Sequence, residues 1–61
     1  MDQYDVKRLC LILAVNAEIE GMKATNKERE VNGHSIAYPE SAFLEMAEEL
    51  RIIANKHNEE L

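Results

Sequence analysis

Apolar and polar positions along this chain recur at helical spacing, three and four residues apart, except over Leu9 to Val15, where seven apolar residues stand in a row. The Lys, Arg, Asn and Glu that flank the run argue for helix rather than strand. A helix that is apolar right around its circumference needs neighbours on more than one side. A chain of 61 residues can offer it one, so the pattern predicts assembly with further copies.

The same pattern sets the elements. Asp2 can cap free amides, and the Asn32-Gly33 pair is a strong stop signal, so one helix is predicted over residues 2–31. At 100° per residue its apolar positions fall on two faces, Val6, Leu9, Leu13, Ala17 and Ala24 on one and Tyr4, Leu11, Val15, Ile19 and Met22, with Ile12 beside them, on the other. Gly21 lies on a third side with Cys10 and Ala14, where small residues suit close packing of a backbone. A connection over 32–38 follows. Pro39 suits the first position of a helix, which gives a second helix over 39–58. Within it Phe43, Met46, Leu50, Ile53 and His57 make one narrow seam, flanked by Ala42, Ala47 and Ala54. The expected fold is therefore all-α, one domain over 1–61, an antiparallel two-helix hairpin. It should assemble as a dimeric four-helix bundle or a higher cyclic form, with Leu11, Ile12, Val15, Ile19 and Met22 turned to a symmetry mate.

Composition narrows the options. Small chains seldom bury enough apolar area to fold alone, and the remedies are disulfides, metal or oligomerisation. The single cysteine, Cys10, cannot close an internal disulfide and reads as a small hydrophobe. Seven Lys and Arg against twelve Asp and Glu leave a net charge of -5, which disfavours a broad nucleic-acid or anionic-membrane footprint. A seven-residue apolar run without a basic leader suits neither a signal peptide nor a membrane span, so a cytosolic protein is expected.

Candidate chemistry gathers near the connection. Asn16, Glu20, Lys23 and Lys27 form a polar stripe along one edge of the first helix, either a ligand-binding edge or an ordinary register residue with a surface ion pair. Lys23, Lys27 and Arg29 concentrate cations toward His34, Ser35 and Tyr38, beside a second helix whose start lacks a capping side chain. Unfilled amides at a helix start attract anions. The ligand-binding set predicted here is Asn16, Lys23, Asn26, Lys27, Arg29, His34, Ser35 and Tyr38, with the cations neutralising phosphate and Tyr38 stacking on a base. Catalysis has little support, since no Glu-x-x-His pair, glycine-rich phosphate loop, zinc cluster or nucleophile triad is present. No cofactor or metal is expected. Glu45-Met-Ala-Glu48-Glu49 resembles the magnesium-holding motif of all-α nucleotide pyrophosphohydrolases, but no second acidic helix accompanies it, and these glutamates read as a solvated face.

The passage from Ala17 to Ala47, above all Asn32 to Phe43 (NGHSIAYPESAF), resembles small phage or prophage proteins of the anti-defence type. The resemblance implies an accessory role in the cytosol of an infected bacterium. Such a protein would either sequester a cyclic nucleotide or cyclic ADP-ribose type of immune signal, or bind a defence protein through an acidic surface such as Glu40, Glu45, Glu48 and Glu59. In length and acidity the chain is also similar to the Rop-type helical hairpin that binds RNA loops, though its connection is longer. The leading expectation is a non-enzymatic homo-oligomer with a small nucleotide ligand at subunit boundaries.

Overall fold

The computed structural model describes residues 1–61: helix α1, Gln3–Val31; helix α2, Glu40–Asn55; and a short 3-10 turn, Asn58–Glu60. Helix α1 starts where its cap dictates. The Asp2 carboxylate accepts hydrogen bonds from the amides of Tyr4 and Asp5, both at 2.9 Å, which satisfies two donors that the first turn leaves free. The other end closes with a paired motif. The Gly33 amide donates to the Glu30 carbonyl at 3.0 Å and the His34 amide to the Arg29 carbonyl at 2.8 Å. Gly33 stands at φ 76°, a conformation in which a side chain would crowd the following carbonyl.

Helix α2 starts at the expected proline, which serves as its cap, and ends three residues short of the expected 58. Pro39 is its N-cap at φ -75°, ψ 172°, helical residues begin at Glu40, the proline carbonyl accepts from the Ala42 amide at 3.0 Å, and no side chain caps the first turn. The helix stops at Asn55 and the chain turns extended through Lys56 and His57. Long-range bonds from α1 explain the early stop. Arg8 donates through Nη2 to the Lys56 carbonyl at 2.6 Å and to Asn58 Oδ1 at 3.1 Å, and the Lys7 ammonium donates to the Leu61 carbonyl oxygen. These charged donors hold the tail against the start of α1. His57 thus leaves the apolar seam on which its spacing had placed it and is exposed.

The helices pack antiparallel along one seam. On α1 it repeats every seven residues as Arg8, Val15, Met22 and Arg29, and across from it α2 presents Met46 and Ile53. Only Val15, Met22 and Ile53 are buried, at 8%, 9% and 6% exposure. The polar ends of the repeat serve the tail and the connection. This corrects the expected division of faces: Val15 and Met22, assigned to a symmetry mate, belong to the hairpin's own core. Leu11 is half-buried beside them, and Ile12 and Ile19, also half-buried, lie on the opposite flank of the seam. The expected close packing at Gly21 is absent within the chain, since no neighbouring atom lies within 4 Å of where its Cβ would stand. Cys10 is likewise exposed.

The resulting body measures 47 × 18 × 12 Å, with a radius of gyration of 14.6 Å against about 10.5 Å for a compact chain of this length. It is one helix thick, a ribbon and not a two-layered domain. The hairpin and the all-helical content agree with the sequence pattern, and no helix is long and apolar enough to cross a membrane.

Candidate functional site

The residues predicted to bind a ligand divide into those that build the connection and those left free. Asn26 is a builder. Its Oδ1 accepts from the amides of Ala37 and Tyr38 at 3.1 and 2.9 Å, and its Nδ2 donates to the Tyr38 carbonyl at 2.8 Å. One side chain therefore does for three backbone groups what a strand partner would do, and it fixes Tyr38 just before α2. Arg29 is a second builder, its Nε donating to the Ser35 carbonyl at 2.6 Å. Both side chains lie toward the α2-facing seam of α1, which is why they reach the connection; Asn26 is half-buried there and Arg29 stays exposed. Ser35 and His34 are exposed, and no hydrogen bond is made by either side chain.

Asn16, Lys23 and Lys27 remain available. At 100° per residue they project with Leu9, Ile12, Leu13 and Ile19 to one broad side of the ribbon. Antiparallel geometry brings Phe43, Ala47, Leu50 and Ala54 of α2 to that same side. Lys23 pairs with Glu20 at 3.1 Å, both side chains well exposed, an interaction worth a few tenths of a kcal/mol at most. Lys27 and Asn16 enter no ion pair or side-chain hydrogen bond within the chain. This side thus joins an apolar surface to a short row of one amide, two ammonium groups and the Glu20 carboxylate that pairs with Lys23. Leu9 and Leu13 are 43% and 56% exposed, unusual for leucines in the most apolar stretch of the sequence.

The opposite broad side holds a groove that the sequence did not suggest. Glu18, Gly21, Met22, Thr25, Tyr38 and Met46 enclose an open concavity of about 450 Å³ beside the connection. Of the predicted ligand set only Tyr38 lines it, and the charged group it contains is a carboxylate. The one sequence signal that pointed here was Gly21, a helix-weakening residue in mid-helix. Its consequence depends on where α2 and Tyr38 lie. No three His, Cys, Asp or Glu side chains converge as a metal-binding set.

Comparison of the chain with models of protein families, with curated proteins and with solved structures finds no match.

Proposed function

We propose that the protein is a non-enzymatic homo-oligomer whose hairpins meet through the broad side bearing Ile12, Ile19, Phe43 and Leu50, and that it holds a small anionic ligand of the nucleotide class at the boundary between copies. The observation that carries this reading is the shared location of a half-buried apolar patch, the exposed Leu9 and Leu13 beside it, and the polar row Asn16, Lys23 and Lys27, of which Lys23 is paired with Glu20. Covering that surface puts the row at the rim of an interface, where ammonium groups are partly desolvated and attract phosphate more strongly.

Two quantities support a second copy. The chain exposes 4665 Å², where a compact monomer of 7.0 kDa exposes about 4,000 Å². A broad side of 47 × 18 Å also matches the roughly 800 Å² per partner of a stable interface. The ligand set is narrower than the sequence indicated, since Asn26 and Arg29 are committed to the connection. A role as a phage-type sponge for a cyclic nucleotide or cyclic ADP-ribose signal fits this arrangement, because sequestration needs a binding site and no catalytic group.

Native mass spectrometry of protein purified from bacteria, followed by titration with cyclic dinucleotides and cyclic ADP-ribose isomers, tests the proposal. The expected result is an oligomer that binds one of these saturably and loses at least tenfold in affinity on Lys23→Ala with Lys27→Ala. A monomer removes the boundary on which the site depends, and an oligomer that binds none of the panel removes the ligand.

A second reading, an interaction protein that docks on a host protein through the acidic surface of Glu40, Glu45, Glu48 and Glu59, is favoured by Glu40, Glu45 and Glu59, which enter no ion pair, while Glu48 pairs with Arg51. Charge reversal there would abolish partner capture and leave nucleotide affinity unchanged.

A further inference from the structure

Gly21 weakens α1 relative to alanine, and the fold gives it no task. It has no positive φ, and no atom comes near enough to require the missing side chain. What its absence of a side chain does is leave the groove beside the connection open. The walls of that groove are Met22 and Met46, which are apolar and polarisable, the ring of Tyr38, the hydroxyl-bearing Thr25, and the carboxylate of Glu18.

The one charged side chain that lines the groove is Glu18, and the cation on its flank, Arg29, four residues past Thr25, is engaged with the Ser35 carbonyl. Glu18 has no ion-pair partner, and no cationic residue stands three or four positions from it on α1. Lys23 and Lys27 point to the other broad side. On α2, Glu45 and Glu49 lie on the flank that adjoins the groove. A concavity with apolar walls, an aromatic ring and a lone carboxylate selects for an apolar body carrying a single positive charge, which the carboxylate pairs and the ring face attracts. Its volume of about 450 Å³ falls in the range of small-molecule sites.

We propose that the groove of Glu18, Gly21, Met22, Thr25, Tyr38 and Met46 binds a small organic cation, an ammonium on an apolar or aromatic stem. Glu18 is the counter-charge, Tyr38 and the two methionines hold the stem, and Gly21 keeps the entrance clear. The site lies on the side away from the anionic ligand and does not depend on it.

Three probes of one shape and different charge test this: 2-phenylethylamine, 2-phenylethanol and 3-phenylpropionate, titrated into the 61-residue protein and read by amide and methionine-methyl NMR shifts. The amine should shift Gly21, Thr25, Tyr38 and both methionine methyls saturably, the alcohol more weakly, and the acid not at all. Glu18→Gln should weaken the amine about threefold and leave the alcohol unchanged. Gly21→Leu, which improves helix propensity and fills the entrance, should abolish both while the circular dichroism spectrum and the oligomer mass stay those of the parent. Equal binding of all three probes, preferred binding of the acid, or no saturable shift would overturn the proposal. So would a change of oligomer mass in Gly21→Leu, which would assign the glycine to packing between copies. Nucleotide binding to the other side is measured separately, so either site can fail without the other.

Discussion

Asn26 shows how one residue's identity outweighs its position on a helical wheel. It lies on the seam, where an apolar residue would ordinarily stand, and its amide is the only side chain that bonds the Ala37 and Tyr38 amides and the Tyr38 carbonyl. Asn26→Ala leaves those three groups to water and should cost about 2 kcal/mol, since each net bond is worth about 1 kcal/mol and the site is partly exposed. Urea denaturation followed by circular dichroism measures the loss, and hydrogen exchange should rise first at Ala37 and Tyr38. Asp2, by contrast, was legible at once. An acid two residues before a periodic apolar run caps through bonds that span three residues, and nothing distant intervenes.

At the scale of elements, both ends of α1 and the start of α2 follow from local sequence, and the end of α2 does not. The Asn32-Gly33 pair ends α1 because the left-handed turn it needs is local, and Gly33→Ala should destabilise the hairpin by about 1 kcal/mol through strain at φ 76°. Thermal melts of the two proteins at equal concentration would show it as a lower midpoint with unchanged helical content at low temperature. Helix α2 carries helical periodicity through His57, yet Arg8, forty-eight residues before Lys56, draws its carbonyl away. No window of sequence around Lys56 contains that competitor. The Nε of Arg8 is buried without a partner, so the clamp is incomplete and holds through its terminal nitrogens alone.

As a whole molecule the hairpin has three buried side chains and a single layer of helices, too little core for the usual stability of a domain. Its stability should therefore rise with protein concentration, as expected when folding is linked to association. Ile12→Asp with Ile19→Asp places two charges on the broad side without entering the hairpin core. Analytical ultracentrifugation of this variant should show monomer, and its helical signal should fall along with its assembly. A variant that stays oligomeric would place the interface elsewhere, and the outer row Val6, Leu9 and Leu13 would be the next surface to test.

By itself the sequence determined the helical class, the extent of α1 and the position of the turn. All of these rest on propensity, capping and periodicity, which act within a few residues. The tertiary structure decided which apolar face α2 would cover, and with that it took Val15 and Met22 into the hairpin, covered Ile12 and Ile19 only in part and left the lysine row exposed. It also turned Asn26 and Arg29 from ligand candidates into braces, and made a groove from Gly21 and Tyr38. Two apolar faces of similar composition differ little in the free energy they offer a second helix. The covered face carries the seven-residue repeat of Arg8, Val15, Met22 and Arg29, whose polar ends bond a tail and a connection that the fold brings to them.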